Sequence, residues 1–434
     1  MKSYIPNNPA KKHKRILLIS YYYPPLIDVG GLRALGFSKY LPFYGWEPYV
    51  LSVRNPDKAY CSVGKDKPPN EVMTFYSWSA LNLSRVIGKL NVLLSLAVRV
   101  FGKRLRTNVF QNLLCIPDIF IGWIPLSIIK GLRIIRKHKI DLIYVSSKPF
   151  SSALIGLFLK RVTKKPLVLD LRDPTIISLY DQDSLSLRFN IKVSEAIEKY
   201  VLKKVDRLIF VTKTTEIDYL LKYPFLQGRT CCIYNGFFSE YLPDKYLMPF
   251  DIFTITYVGN YYPRYYDSDL IFHSLKKVIS RNRIPKNHIR FLYIGNNTDW
   301  FKHMREKFGL SDIIDCPGKV SRKDSIKSLS RSSVILLRIV EDRISTKLFE
   351  GLATGVPLLS AVSNIEVIEL IEEYSPQSIN VKPGDSDALA TAIETFYKNW
   401  RDGQFCRKAN KKYLNQFNKN ILTKKFIQEL DKLF

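Results

Sequence analysis

Residues Ser345–Ala361, STKLFEGLATGVPLLSA, contain the change from a helix to a buried strand that decides the fold assignment. Lys347 and Glu350 fall on the first turns of the predicted helix, Gly355 and Pro357 end it, and an apolar strand follows. A lysine can neutralise a phosphate, and a glutamate one turn later can accept hydrogen bonds from a ribose diol. The N-terminus of the helix favours the same anion. These features suit a nucleoside diphosphate, and the alternative is an exposed helix start with an i,i+3 ion pair.

Short apolar strands alternate with helical sequence through the first half of the chain. A helix is predicted from Leu32 to about Tyr44, where Gly45 closes it. The predicted strands of this half are Arg15–Ser20, Pro48–Val53, Asp141–Ser146, Pro166–Asp170 and Asp206–Val211. Nearly continuous apolar strands separated by helices indicate a parallel sheet that is covered on both faces.

The alternation loosens around Asn235–Pro249 and then begins again with the strands Phe253–Gly259, Ile289–Gly295, Ser333–Ile339 and Pro357–Ala361. We therefore predict an α/β fold of two doubly wound, Rossmann-like domains, at residues 1–245 and 246–400. Because ligands bind outside the carboxyl ends of such strands, the two domains are expected to face a central cleft. The polar, helical tail at residues 401–434 either ends the chain as a solvated helix or packs back on the first domain.

The composition predicts a globular, cytoplasmic protein. The chain has 434 residues, of which 46% are hydrophobic and 24% charged, and this length allows two separate cores. No apolar run reaches the roughly 18 residues that span a bilayer, and Ile16–Ile19 is too short for the apolar part of a signal peptide. The six cysteines form no C-x-x-C pair and no metal-like spacing with the five histidines. We therefore expect reduced thiols and no metal site.

A formal net charge of +28 points to an anionic partner, and nucleic acid and an anionic membrane surface are the two usual ones. Ser84–Phe110 mixes apolar side chains with six cations, as an interfacial helix does: Arg85, Lys89, Arg99, Lys103, Arg104 and Arg106. Some of its apolar residues can instead pack on the domain. No pattern of stacking aromatic and basic residues typical of RNA-binding strands is present. We therefore expect peripheral attachment to the inner face of the cell membrane and no nucleic-acid partner.

Five motifs, in order along the chain, resemble those of family 4 glycosyltransferases of the GT-B fold. They are Tyr21–Pro25 with Gly30–Arg33, Ser146–Pro149, Asp170–Pro174, Asn235-Gly236, and the Lys347 to Glu350 segment. The resemblance extends from about Arg15 to Glu373. It implies a nucleotide-sugar donor held mainly by the second domain and an acceptor held mainly by the first. It also implies transfer with retention of anomeric configuration and no required metal.

In the first domain, the glycines before the helix lack a Cβ and would let backbone N–H groups approach a donor phosphate. Gly30 and Gly31 are the candidates, although a plain turn explains them as well. Arg33, one turn into the helix, is expected to help hold the acceptor near that anion, or to be a surface cation. Three charged residues follow a predicted strand, namely Asp170, Arg172 and Asp173. They are expected to orient acceptor hydroxyls, with Asp173 as the catalytic residue. The alternative is that they merely lock the loop.

In the second domain, Gly259 follows a strand and is expected to lie at the donor. The resemblance assigns Arg264 and Lys347 to the donor diphosphate, where two cations would do the electrostatic work that a metal does elsewhere. Glu350 matches the ribose-binding glutamate of the family. A second glutamate often precedes it by eight positions, and here that position is Asp342, with Glu341 beside it. The shorter carboxylate of Asp342 is expected to serve the donor instead, and the shifted carboxylate of Glu341 is the alternative.

The chain also departs from the family in the first domain. Relatives commonly carry a histidine after the Ser146–Pro149 segment, where this chain has Phe150-Ser151-Ser152-Ala153, and His138 precedes the strand and is wrongly placed to replace it. The leaving phosphate can itself assist the incoming hydroxyl, which makes a separate general base unnecessary. Lack of activity is the alternative.

The leading hypothesis is a membrane-peripheral hexosyltransferase of cell-envelope polysaccharide biosynthesis. It would move a sugar from a nucleoside-diphosphate sugar to a lipid-linked or surface-polysaccharide acceptor. The alternatives are a nucleotide-sugar epimerase of the same fold, and a catalytically silent basic protein that binds a membrane or nucleic acid. A nicotinamide-dependent oxidoreductase is disfavoured because no compact G-x-G-x-x-G follows any predicted strand.

Overall fold

The computed structural model describes residues 13–27, 30–57, 62–63, 67–90, 109–173, 185–245, 247–261, 268–339, 344–404 and 407–434. The chain divides into two structural units. The first contains Met1–Tyr234 and Leu422–Phe434, and the second contains Asn235–Ile421. Within the described residues, no helix combines the length and the apolar character needed to span a membrane.

Seven parallel strands form the sheet of the first unit. They are β1 (Lys14–Ser20), β3 (Trp46–Val53), β5 (Met73–Ser77), β6 (Leu142–Ser147), β7 (Leu167–Leu171), β8 (Arg207–Phe210) and β9 (Thr230–Cys232). Their order is β5-β3-β1-β6-β7-β8-β9. A separate antiparallel pair joins β2 (Leu26–Ile27) to β4 (Ser62–Val63). The last five residues of β1 and all of β6 are buried, as expected for strands covered on both faces.

Helices cover both faces of this sheet. They are α1 (Gly31–Tyr40), α2 (described over residues 83–90), α3 (Val109–Leu114), α4 (Ile124–His138), α5 (Ser151–Thr163), α6 (Leu185–Lys204) and α7 (Lys213–Lys222). On one face Ile135 of α4, Leu159 of α5 and Val201 of α6 join the same core as the strands. On the other face Phe37 of α1 belongs to a second core.

The predicted helix from Leu32 to about Tyr44 is shorter in the structure. α1 ends at Tyr40, and Leu41–Tyr44 continues as a 3₁₀ turn with a proline in its first positions. Proline lacks the backbone N–H that a continuing α-helix needs. Gly45, at φ 80°, then ends the turn in the left-handed conformation that favours glycine.

The predicted interfacial helix over Ser84–Phe110 falls mainly on residues 91–108, which lie outside the described residues. On the described side, Leu83 and Ile87 of α2 are buried against Cys115 in a small apolar cluster. These two side chains therefore pack on the unit, whereas Val86 is 40% exposed.

The second unit contains a six-stranded parallel sheet. Its strands are β10 (Phe253–Val258), β11 (Ile289–Ile294), β12 (Ile314–Asp315), β13 (Val334–Leu337), β14 (Leu358–Ser360) and β15 (Ile379–Asn380). Their order is β12-β11-β10-β13-β14-β15. The helices of this unit are α8 (Leu270–Ser280), α9 (Thr298–Phe308), α10 (Arg322–Arg331), α11 (Thr346–Thr354), α12 (Ile365–Tyr374), α13 (Ser386–Arg401) and α14 (Lys411–Phe417). Two parallel sheets with helices on them confirm the predicted pair of Rossmann-like α/β domains.

The last helix, α15 (Lys419–Asp431), contributes to the core of the first unit from Leu422 onward. The Phe426 ring stacks on Phe37 of α1 with centroids 4.3 Å apart, and Leu430 is fully buried. Short 3₁₀ turns elsewhere in the chain are Ile121–Trp123, Pro224–Leu226, Ser239–Tyr241 and Lys286–His288.

Candidate active site

Gly31, at the start of α1, lies against the backbone of the loop that follows β1. A Cβ on Gly31 would lie 2.9 Å from the carbonyl oxygen of Tyr22, which is too close for any side chain. Gly30, at the N-cap position, has ordinary helical dihedral angles. The close approach to the protein's own backbone therefore explains Gly31, and phosphate binding by the pair stays a prediction.

Arg33 of α1 and Asp170 of β7 form a buried ion pair. Arg33 Nε donates to Asp170 Oδ2 at 2.5 Å, and the two side chains are 3% and 0% exposed. The Tyr144 hydroxyl donates to the same carboxylate oxygen, and Arg33 Nη1 donates to the carbonyl of Tyr234 at 2.9 Å. Arg33 is therefore not a surface cation. The structure places it and Asp170 together inside the unit.

The charge states of this network follow from its burial. Burial lowers the pKa of the Arg33 guanidinium, but the Asp170 carboxylate outweighs it, so that the pKa lies above its ordinary value. Burial raises the pKa of Tyr144 well above its ordinary value, and Asp170 adds to the effect. Tyr144 thus stays protonated and donates its hydrogen. Arg33 Nη2 and Asp170 Oδ1 are buried without a hydrogen-bond partner among the described residues.

The residues after β7 are more exposed than this pair. Arg172 Nη1 donates to the carbonyl of Gly30 at 2.6 Å, and so ties the end of β7 to the start of α1. Asp173 Oδ2 lies 3.3 Å from Lys148 Nζ, and these side chains are 21% and 37% exposed. Of the predicted acceptor residues, Arg172 and Asp173 follow the carboxyl end of β7, and their charged side chains are partly exposed to solvent.

In the second unit, Lys347 lies against the backbone of Gly259. A Cβ on Gly259, at φ 116°, would lie 2.4 Å from Lys347 Cε and 2.8 Å from its Nζ. Lys347 Nζ donates to the Tyr257 hydroxyl at 2.7 Å and lies 4.4 Å from the centre of that ring. Burial raises the pKa of Tyr257, so its hydroxyl is neutral when it accepts this hydrogen bond. The structure thus brings together Gly259 and Lys347, both predicted for the donor.

Glu350 lies one turn after Lys347 on α11 and pairs with Arg322 at the start of α10. Arg322 Nη2 donates to Glu350 Oε1, and the side chains are 29% and 11% exposed. The predicted alternative of an i,i+3 pair between Lys347 and Glu350 is therefore not what these side chains form. Arg322 Nε is buried without a hydrogen-bond partner among the described residues.

Ser345 caps the N-terminus of α11 by accepting a hydrogen bond from the Lys347 backbone N–H at 3.2 Å. The other two predicted donor residues, Arg264 and Asp342, lie outside the described residues. Within the described part of the chain, no group of three or more histidine, cysteine, aspartate or glutamate side chains is arranged to hold a metal ion.

This arrangement offers one cation, one helix N-terminus and one carboxylate along a single turn of α11. A diphosphate is attracted by the first two and a diol by the third. Sequence reasoning missed Tyr257 and Arg322. Tyr257 could have been found, because a tyrosine inside a buried strand needs a partner for its hydroxyl. Arg322 could not, because it lies 28 residues from Glu350 and no local pattern links the two.

Two family models match consecutive parts of the sequence. The model of the family "Glycosyltransferase Family 4" matches residues 37–240, and the model "Glycosyl transferases group 1" matches residues 252–399. The two matches lie one after the other and together cover most of the chain. No curated protein matches the sequence.

Solved structures of other proteins share the fold at low sequence identity. Sucrose-phosphate synthase from Thermosynechococcus elongatus is 18% identical with a TM-score of 0.64, over 97% of this chain and 99% of its own. HepE from Anabaena, solved with UDP-glucose, is 14% identical with a TM-score of 0.61, over 97% and 100%. A protein from Listeria monocytogenes that is assigned, without an established activity, as a UDP-N-acetylglucosamine 2-epimerase is 10% identical with a TM-score of 0.58, over 98% and 97%.

The two family matches and these structural neighbours agree on the family and on the fold. The chain is a family 4 glycosyltransferase with the two-domain, Rossmann-like GT-B fold.

Proposed function

We propose that this glycosyltransferase moves a hexose from a nucleoside-diphosphate sugar to a lipid-linked or surface-polysaccharide acceptor, with retention of anomeric configuration. The observation that carries the proposal is the placement of Lys347 and Glu350 on the first turns of α11, with Lys347 lying on the backbone of Gly259. A cation and a diol acceptor at that spacing fit the two ends of a ribose diphosphate.

Lys347 is assigned to the diphosphate. The end of its side chain fills the space that a Cβ on Gly259 would occupy, so the glycine lets the ammonium lie against the backbone. Tyr257 fixes its position without cancelling its charge. A positioned cation stabilises the charge that develops on the leaving diphosphate as the bond to the sugar breaks. Arg264 is proposed as the second cation, so that no metal is required.

Glu350 is assigned to the ribose. Its Oε1 is occupied by Arg322, which orients the carboxylate, and no other described side chain bonds to it. A carboxylate has about four lone-pair positions, so Oε2 can accept from the two ribose hydroxyls. Asp342 is proposed to act on the donor from the segment before α11.

The proposed reaction breaks the bond between the anomeric carbon and the diphosphate oxygen, and forms a bond from that carbon to an acceptor oxygen on the same face. The acceptor proton passes to the departing phosphate, which makes a histidine general base unnecessary. Asp173, with Arg172 beside it, is proposed to orient the acceptor hydroxyl from the edge of the first sheet. Gly30 and Gly31 are proposed to present backbone N–H groups to the phosphate of the donor.

Neighbours of the same fold support this choice of substrates. HepE was solved with UDP-glucose, and Staphylococcus aureus TarM with UDP and a GlcNAc-glycerol. WaaG, 11% identical with a TM-score of 0.60, acts in lipopolysaccharide biosynthesis. We carry over a nucleotide-sugar donor and a cell-envelope acceptor, with the protein held on the inner face of the membrane.

The test is a product assay with UDP-, GDP- and dTDP-hexoses, with and without a short lipid-linked or glycan acceptor. Proton NMR of the product then reports its anomeric configuration. Transfer that needs the acceptor, retains configuration and persists in EDTA is the expected result. Conversion of the donor without acceptor would replace transfer by epimerisation, and an inverted product would contradict retention.

A further inference from the structure

The outer face of α4, α5 and α6 is a surface that the catalytic assignments do not use. These helices cover one side of the first sheet, and α5 packs against both α4 and α6. Their inner residues, such as Ile135, Leu159 and Val201, belong to the core. We call the opposite, solvent-facing side of the three helices the α4–α6 face.

Large apolar side chains are exposed along the α4–α6 face. On α6, Phe189 is 53% and Tyr200 is 52% exposed, and on α5, Phe158 is 44% exposed. A groove of about 640 Å³ runs between α5 and α6, lined by Leu154, Phe189, Val193, Ile197, Tyr200 and the stem of Lys192. Because its lining is mostly apolar, the groove offers a carbon surface to a partner.

The spacing in α6 explains why this surface is continuous. Phe189, Val193, Ile197 and Tyr200 recur every three or four residues, and so form one stripe along the helix. In a surface helix this stripe would face the core. α6 carries a second apolar stripe, including Val201 and Leu202, which already fills that role. Ile197 of the outer stripe also packs against this core, whereas Phe189 and Tyr200 at its two ends are 53% and 52% exposed and are available to a partner.

Most charged side chains on these three helices are positive. α4 and α5 contain no aspartate or glutamate. The two glutamates of α6 are engaged: Glu198 accepts from the hydroxyls of Tyr219 and Tyr223 at 2.7 and 3.0 Å, and Glu195 pairs with Lys222 at 3.1 Å. The three helices also carry seven exposed cations, namely Arg133, Arg136, Lys137, Arg161, Arg188, Lys192 and Lys199.

We propose that the α4–α6 face docks on the anionic leaflet of a lipid bilayer, with Phe189 and Tyr200 inserted at the level of the headgroups. The inference deepens the proposed function, on which it rests for the presence of a membrane. Cations that meet lipid phosphates, next to carbon that enters the acyl boundary, are the two contributions that hold a peripheral protein. The phosphates of a nucleic acid would also pair with the cations, but a nucleic acid has no acyl chain to fill an apolar groove.

Vesicle flotation tests the proposal with the full-length protein. The vesicles are phosphatidylcholine alone, or phosphatidylcholine with about one third phosphatidylglycerol. One variant combines Phe189→Ser with Tyr200→Ser, and a second combines Lys192→Glu with Lys199→Glu. The control combines Lys276→Glu with Lys302→Glu, two exposed lysines of the second unit that give the same change in charge.

The wild type is expected to float with the anionic vesicles, and each α4–α6 variant to lose affinity at least about tenfold, while the control floats like the wild type. Raised salt should weaken wild-type binding without abolishing it, because the apolar contact is not screened. Equal flotation of variants and wild type would overturn the proposal. So would preferential binding of a DNA duplex that both α4–α6 variants lose.

Nucleotide binding separates this inference from the proposed function. All of the substituted side chains are exposed, so the variants should keep the thermal stabilisation that a nucleoside diphosphate gives the wild type. Loss of flotation with this response retained supports the docking face. A wild type that floats but responds to no nucleotide would leave the face standing and refute the proposed donor site.

Discussion

Each unit of the protein holds an arginine–carboxylate pair, and the two pairs differ in their access to solvent. Arg33 and Asp170 in the first unit are 3% and 0% exposed, and Tyr144 also donates to the carboxylate. Arg322 and Glu350 in the second unit are 29% and 11% exposed. The first pair is thus shielded from solvent by the protein, whereas the second meets it in part.

This difference in exposure indicates which motif residues are available to contact a substrate. A charged pair buried in the interior is costly to break, because the remaining charge cannot reach water. A partly exposed carboxylate, held by one arginine, can accept further hydrogen bonds from a ligand. We therefore infer that Arg33 and Asp170 fix the architecture behind the acceptor side, and that Glu350 contacts a ligand directly.

The largest expected effect is on stability, from Asp170→Ala. The substitution leaves the Arg33 guanidinium uncompensated in the interior and removes the acceptor of the Tyr144 hydroxyl. We expect the free energy of unfolding to fall by about 3–5 kcal/mol, measured by urea denaturation. Asp173→Ala is the matched control, since its pair with Lys148 is partly exposed and should cost less than about 1 kcal/mol.

A stability of Asp170→Ala equal to that of the wild type would remove the contrast between the two pairs. The double substitution Arg33→Met with Asp170→Val sharpens it further. Replacing both charged partners by apolar side chains, with valine nearer than leucine to the volume of aspartate, should recover much of the lost stability.

The next largest effect is on turnover, from Lys347→Ala. Removing the cation that faces the departing diphosphate should lower kcat by roughly 10²–10³-fold, or about 3–4 kcal/mol of transition-state stabilisation. Steady-state kinetics with saturating donor gives the value. Lys323→Ala, an exposed lysine on α10, is the control and should retain wild-type kcat. A Lys347→Ala enzyme with undiminished turnover would refute the assignment.

Glu350→Gln should act on donor binding. The amide keeps the shape of the side chain but loses the charge that strengthens hydrogen bonds from the ribose, worth about 1.5–3 kcal/mol. The donor KM should rise roughly 10- to 100-fold, while the melting temperature changes little. A larger effect on stability than on KM would place Glu350 with Asp170, as a structural residue.

The smallest effect is expected from Arg322→Ala, because Arg322 acts through Glu350. Losing one partly exposed hydrogen bond costs about 1 kcal/mol, or roughly fivefold in the donor KM, with kcat unchanged. The double variant with Glu350→Gln should be no worse than Glu350→Gln alone if the two residues act together. Additive losses would mean that Arg322 meets the donor independently.

Much of the fold could be predicted from the sequence, because buried parallel strands read as apolar runs. The strand predicted at Asp141–Ser146 is found at Leu142–Ser147, and the one predicted at Phe253–Gly259 is found at Phe253–Val258. The end of α1 was placed too late, since the apolar pattern continues through Pro42 although the α-helix does not.

The pairing of charged side chains could not be predicted. Asp170 and its partner Arg33 are 137 residues apart, and Arg322 and Glu350 are 28 apart. Such contacts depend on which strands and helices become neighbours. No local spacing indicates them. The spacing of Lys347 and Glu350 correctly marked a shared helix turn, but the interpretation of an ion pair between them was wrong.

The most direct test of the donor site is thermal stabilisation of the purified protein by UDP, GDP, dTDP and CMP, with Glu350→Ala measured in parallel. We predict a rise in melting temperature with one nucleotide in preference to the others, and its loss in the variant. No rise with any of the four, or a rise that Glu350→Ala retains in full, would contradict the assignment of the donor to α11.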